Sequence, residues 1–159
     1  MSSQLSFVTG DVTLPQGDGL KIVAHCCNDI GAFGAGVALA IAMRWPSAKR
    51  QYVQWHREGN ALLGSTQFVA VDTNTHVANM VGQHDIVWHN GIPPIRYDAL
   101  RQCLSAVAAR ASEWGASVHM PRIGCLRAGG DWKTVGPIVM EDLSAKGVAV
   151  TVYELLGRP

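Results

Sequence analysis

The chain has 159 residues, 48% of them hydrophobic, which is enough to bury one sizeable core as a single domain over residues 1–159. A formal net charge of +1 without a long basic run argues against a nucleic-acid binder that works by phosphate neutralisation. There is no early apolar stretch with basic flanks and no run long enough to span a membrane, so a cytoplasmic protein without membrane contact is expected.

Residues 6–9 alternate as a half-buried or edge strand, closed by Gly10-Asp11. Asp11 then precedes a turn-rich segment, where it is either a turn former or cap, or a carboxylate acceptor for an exocyclic amine at the sheet rim. The apolar run 20–24 predicts a buried strand, and residues 38–44 a helix that Trp45-Pro46 breaks. A second helix follows over 48–58, stopped by Gly59-Asn60. Residues 67–71 and 76–81 read as an antiparallel hairpin joined by the turn-like Asp72-Thr73-Asn74-Thr75.

Residues 82–94 form the longest irregular stretch and carry His84, Trp88 and His89; loops of this length in a compact domain tend to be functional or mobile. The clearest helix spans 95–114, with Leu100, Cys103, Leu104, Val107, Ala108 and Ala111 on one face and Gly115 as its stop. Residues 117–120 make a short strand. A second glycine-bearing loop follows, then a helix that Asp131 would cap and that ends near Lys146-Gly147. The β-branched segment 148–153 is the last strand. Strands alternating with helices around one hairpin predict an α/β fold: a mixed sheet covered by helices on both faces.

Two loops carry the functional signal. The segment 25–37 (HCCNDIGAFGAGV) runs from a strand to a helix start and contains Gly31, Gly34 and Gly36. Glycines here either serve a tight turn alone or leave bare N–H groups beside a positive helix end, which suits an anion. Gly129 and Gly130 repeat that arrangement before the next helix, with Arg127 nearby. Together they suit a nucleotide diphosphate held mainly by backbone dipoles. There is no GxxxxGK[ST], and Gly31, Gly34 and Gly36 are out of order for a GxGxxG turn. The four cysteines show no CxxC spacing, and Cys26 and Cys27 would point to opposite faces of a strand, so no metal site is expected.

Gly10-Asp11-Val12-Thr13, the Asn28 loop with Gly34-Ala35-Gly36-Val37-Ala38, Met120-Pro121-Arg122-Ile123-Gly124-Cys125 and Thr151-Val152-Tyr153-Glu154-Leu155 together resemble a macrodomain. The similarity runs from the first strand to the last. It is closest to the branch of terminal ADP-ribose protein glycohydrolases, the remodeller-associated macrodomain and the yeast ADP-ribose-1''-phosphate phosphatase. The resemblance implies a three-layer α/β/α sandwich that binds ADP-ribose. Asp11 would accept from the adenine amine with the Val12 amide nearby. Tyr153 or Leu155 would flank the adenine, unless Tyr153 is an ordinary strand aromatic of the core. Gly34, Ala35, Gly36 and Val37 would hold one side of the diphosphate and the distal ribose, which Asn28 would face. Ile123, Gly124, Cys125, Leu126, Arg127 and Ala128 would form the second phosphate loop.

The sequence departs from these relatives where the human-type glycohydrolase has a lysine and an aspartate; those positions fall on Gln83 and Ala128. Lysine attack on the opened ribose is therefore not available, since Gln83 has no amine. Asp131, three residues further on, would cap its helix unless the glycine pair bends it inward. The resemblance implies a hydrolase of ADP-ribosyl groups on proteins, most readily Asp or Glu esters. Asn28 and backbone amides would stabilise charge, and Gln83, His84 or Asp131 would orient water. The alternatives are a reader of ADP-ribose without turnover and an ADP-ribose-1''-phosphate phosphatase. The expected partners are ADP-ribose and ADP-ribosylated proteins, with no cofactor and no nucleic acid, and a monomer is assumed.

Overall fold

The computed structural model describes residues 4–155, which contain six strands and four α-helices. In chain order these are β1 (Gln4–Thr9), β2 (Lys21–Asn28), α1 (Gly36–Arg44), α2 (Pro46–Arg57), β3 (Thr66–Ala70), β4 (Thr75–Gln83), α3 (Tyr97–Trp114), β5 (Ser117–Met120), α4 (Trp132–Asp142) and β6 (Ala149–Glu154). The sheet order is β1-β6-β5-β2-β4-β3. Every neighbouring pair is parallel except β3 with β4, which form the expected antiparallel hairpin.

The sheet divides two cores. Ile22, Ala24 and Met80 pack with the buried face of α3, including Leu100, Leu104 and Val107, and with Val135 and Val139 of α4. Val23, Cys27, Val77 and Val81 pack on the other side with Ile41 and Tyr52 of α1 and α2. A sheet covered on both faces needs central strands that are apolar without alternation, which is why residues 20–24 read as a continuous run. Cys26 and Cys27 fall into opposite cores, as alternation along a strand requires. Burial pushes the Cys26 thiol up to about 12 and the Cys27 thiol well above its usual value, so both stay neutral.

Local boundaries follow stated causes. Pro46 opens α2 at its first turn, where its missing N–H costs nothing. Gly115 ends α3 in the left-handed conformation, φ +64°, and donates to the Ala111 carbonyl. Asp131 caps α4 by accepting from the Thr134 amide. Most boundaries fall within two residues of expectation, and two differ by four. β2 continues past Ala24 to Asn28, because buried His25 finds a partner within the sheet: its Nε2 lies 2.6 Å from Asn79 Oδ1 on β4. The last helix stops at Asp142, and Ser144–Lys146 forms a separate 3-10 turn closed by Gly147 at φ +85°.

Candidate functional site: a two-loop cleft at one end of the sheet

Because β1, β2, β4, β5 and β6 run parallel, their carboxyl ends open on one side of the molecule. Asp11 follows β1, Asn28 ends β2, Gln83 ends β4, the second glycine loop follows β5 and Leu155 follows β6. The fold therefore brings the expected site residues to one edge.

The first loop is built on Asn28. Its Oδ1 accepts from the amides of Ile30 and Ala32, both at 3.1 Å, and its Nδ2 donates to the Ala32 carbonyl at 2.7 Å. The Tyr52 hydroxyl supports it from α2, 2.6 Å from the Asn28 carbonyl and 3.0 Å from Oδ1. Gly31, at φ +83°, leaves no room for a side chain, since a Cβ would lie 2.6 Å from His56 Nδ1. Phe33 is buried and packs edge-on against His25 and tilted against Tyr52. Beyond this anchor Gly34, Ala35 and Gly36 are exposed. Ala35 caps α1 without a side-chain bond, and the first turn carries no acidic residue. The positive end of α1 is thus presented bare, with Val37 half-buried behind it.

The second loop closes on itself. The Gly130 amide donates to the Gly124 carbonyl at 2.8 Å, and a Cβ at Gly130 would overlap that oxygen. Gly124 is left-handed at φ +72° against Ile95, whose amide donates to the Ala128 carbonyl at 2.9 Å. Ile123 and Ala128 are buried, and Cys125 is half-buried with its thiol pushed up by desolvation. The Leu126 side chain lies outside the described residues. Arg122 anchors the loop's approach through an ion pair with Glu154, its guanidinium lying near the rings of Phe7 and Trp132.

The two loops meet. A Cβ on Gly36 would lie 3.7 Å from Arg127 Nε, so this exposed guanidinium stands over the start of α1. Backbone N–H groups from one side and a guanidinium from the other are the chemistry that holds a phosphate.

Several expected roles change. Asn28 was expected to face a ribose and stabilise charge; its Oδ1 and one Nδ2 hydrogen instead brace its own loop, because an Asn at a strand end closes an Asx-type turn on the amides that follow. Gln83 Nε2 donates to the Asp85 carbonyl at 3.1 Å, which holds its side chain in the loop rather than leaving it to water. Asp131 is exposed and serves as the α4 cap, since the Gly130–Gly124 closure ends the loop before it can bend inward. Tyr153 is buried: its hydroxyl accepts from the Gln16 amide at 2.8 Å and meets His119 Nδ1 at 2.7 Å. Of the two residues expected beside an adenine, the exposed one is Leu155. Asp11 Oδ1 accepts from the amide and hydroxyl of Thr13, an Asx turn that also keeps Val12 buried.

A further set was only partly foreseen. Asp29 Oδ2 lies 2.7 Å from His84 Nδ1, and Oδ1 accepts from the Asp85 amide at 2.8 Å. Asp85 Oδ2 in turn meets His89 Nε2 at 3.0 Å. The Ile86 amide and His89 hold the Asp85 carboxyl below its usual value. His84 stood out in the sequence; Asp29 did not, because its partner is 55 residues away. Among the described residues no group of three or more His, Cys, Asp or Glu is placed to hold a metal ion.

A three-layer α/β/α domain with two glycine loops at the carboxyl edge of a mixed sheet defines the class. The Macro domain profile matches residues 24–139, and the chain belongs to the macrodomain family. Its fold matches a protein of unknown function from Bacteroides thetaiotaomicron, 46% identical with a TM-score of 0.95 over 98% of this chain and all of the other. A macrodomain protein from Streptomyces coelicolor is 45% identical, with a TM-score of 0.84 over 95% of this chain and 99% of that one. Chromodomain-helicase-DNA-binding protein 1-like from Mus musculus is 27% identical over 96% of this chain, and its Danio rerio counterpart 29% over 94%. The chain spans only 18% and 15% of those two proteins. ADP-ribose glycohydrolase OARD1 from Bos taurus is 24% identical over 96% of this chain and 93% of its own length.

Proposed function

We propose that the protein binds ADP-ribose in the two-loop cleft and hydrolyses ADP-ribosyl groups from proteins, the linkage being an ester to Asp or Glu. The observation that carries this reading is the meeting of the two glycine loops, with Arg127 over Gly36. The diphosphate lies between the α1 N-terminus and the loop 123–130, so its two phosphates meet backbone N–H groups from both sides. The adenine lies toward Asp11, Val12 and Leu155, and the distal ribose toward the ends of β2 and β4. An ester at the ribose is labile, so holding it beside a positioned water supplies much of the acceleration. The name of the OARD1 relative supports a glycohydrolase reading.

The experiment is release of ADP-ribose from an automodified protein, alongside calorimetry with free ADP-ribose. Saturable binding together with release above a heat-treated control is the expected result. Binding without release would make the protein a reader, a reading favoured by Gln83 and Ala128 standing where the resembled glycohydrolase has its lysine and aspartate. Failure to bind ADP-ribose would overturn both.

A further inference from the structure

The ends of β2 and β4 carry a device that cleft geometry alone does not require. Along most of this pair the register is regular: Val23 faces Val77 and Cys27 faces Val81. It then slips, and Asn28 faces Gln83 rather than Gly82, so β4 holds one extra residue at its end. Bulges next to functional sites re-aim the side chains that follow. Here the effect is definite. Without the extra residue Asp29 would come opposite Gln83; with it, Asp29 comes opposite His84. Gly82 is the inserted residue, and a Cβ there would lie 2.8 Å from Cys26 Sγ, so the bulge needs glycine.

What the bulge brings together is an oriented imidazole. Asp29 Oδ2 is 2.7 Å from His84 Nδ1, and a carboxylate can only accept, so Nδ1 carries the hydrogen and the neutral ring keeps its lone pair on Nε2. The side chains are 18% exposed for Asp29 and 48% for His84, so the carboxylate is set back while the ring reaches solvent. Nε2 has no bond among the described residues. The other carboxylate oxygen is fixed by the Asp85 amide at 2.8 Å. Asp85 itself is left-handed at φ +60°, a conformation that costs a non-glycine residue energy and persists only when its surroundings impose it. Three contacts impose it: the amide bond to Asp29, the bond from Ile86 N to Asp85 Oδ1 at 2.7 Å, and His89 at Oδ2. The titratable groups around His84 are therefore Asp29 from the first glycine loop, and Asp85 and His89 from its own loop.

We propose that His84 is the general base of the hydrolysis and that Asp29 is its positioning residue. The inference rests on the reading of the cleft as an ADP-ribosyl ester hydrolase, and it fills the place left by Gln83 and Asp131. A water held at His84 Nε2 attacks the ribose carbon that bears the ester oxygen. The new carbon–oxygen bond forms as the bond to the acyl oxygen breaks, and the side-chain carboxylate of the modified protein leaves as an anion. The water's proton passes to Nε2, the Asp29 carboxylate stabilises the imidazolium, and the proton is then lost to solvent. Free ADP-ribose, a carboxylate and a proton are the products. A base oriented by a third group in this way is a recurrent catalytic arrangement.

The discriminating variants are His84→Asn, His84→Gln and Asp29→Asn, assayed for kcat and KM of ADP-ribose release with ADP-ribose affinity measured by calorimetry. An asparagine amide reproduces the Nδ1–H donor to Asp29 but has no basic nitrogen, so H84N keeps the latch between the loops and removes the base. Both His84 variants are expected to bind ADP-ribose as the wild type does and to lose roughly 100-fold in kcat, within the range for general base catalysis. D29N is expected to lower kcat while KM and ADP-ribose affinity stay unchanged, because an amide can still hold the ring but carries no charge to stabilise the imidazolium. Release by H84N at the wild-type rate overturns the proposal and leaves a structural latch. If the wild type binds ADP-ribose but releases none, the hydrolase reading falls and this inference with it. If the wild type hydrolyses and H84N does too, only this inference falls.

Discussion

Tyr52 shows how much of the cleft depends on a residue that never reaches it. It is fully buried between α2 and the sheet, and its hydroxyl braces Asn28 itself from outside the loop's own chain segment. Burial pushes the phenol well above its usual value, so it remains a protonated donor. Tyr52→Phe removes the bond to the Asn28 carbonyl and leaves that oxygen without its partner in a dry setting. The expected cost is about 1–3 kcal/mol of stability, read from urea unfolding, with weaker binding of ADP-ribose read by calorimetry. Unchanged stability and affinity would mean that Asn28 organises the loop unaided. The same residues show the limit of reading side chains from sequence. Asn28 two positions before Ile30 is an Asx-turn signal, and its family position suggested a ligand contact; only the direction of the amide decides between them.

At the scale of elements, α4 offers the cleanest separation of architecture from chemistry. Its cap, Asp131, accepts from the Thr134 amide at 3.2 Å. Asp131→Ala is expected to lose about 1 kcal/mol and Asp131→Asn almost nothing, since asparagine caps as well as aspartate. Chemical denaturation of the two variants side by side checks this; equal stability for Ala and Asn would deny the cap. The elements themselves were largely legible. The α3 face, with Leu100, Leu104, Val107 and Ala111 buried as its spacing predicted, needs no tertiary knowledge. The hairpin of β3 and β4 was legible from its turn. The end of β2 was not, because His25 and Asn28 look like loop residues until their partners on β4 and α2 are known. Nor was the pairing of Asp29 with His84. It depends on β2 and β4 being neighbours, which leaves no mark in a single sequence, and on a one-residue bulge whose trace there is Gly82 alone.

For the whole molecule the two buried histidines set a dependence on pH that is separate from any catalysis. His25, in the α1/α2 core, is brought down to about 4, chiefly by desolvation and in spite of the bond to Asn79. His119 on β5 is brought down to about 4, by desolvation and then by the charge on Lys21. Each neutral ring is committed to partners: His25 to Asn79, and His119 to Ser117 and the Tyr153 hydroxyl that also accepts from the Gln16 amide. In the unfolded chain both would titrate near the ordinary 6.5. Between those values the unfolded state binds more protons than the folded one, so stability rises with pH there and is lost as pH falls from about 6.5 towards 4. Shifts of this size correspond to about 3 kcal/mol per imidazole, a large fraction of a small domain's total. Urea midpoints measured at pH 7.5 and at 4.5 are expected to differ strongly, with little change between 7.5 and 8.5. His119→Gln can keep polar contacts to Ser117 and Tyr153 without a titrating ring, and is expected to flatten about half of that slope. Identical midpoints for the wild type at 7.5 and 4.5 would show that these rings take up protons inside the fold, and would overturn this account of its acid sensitivity.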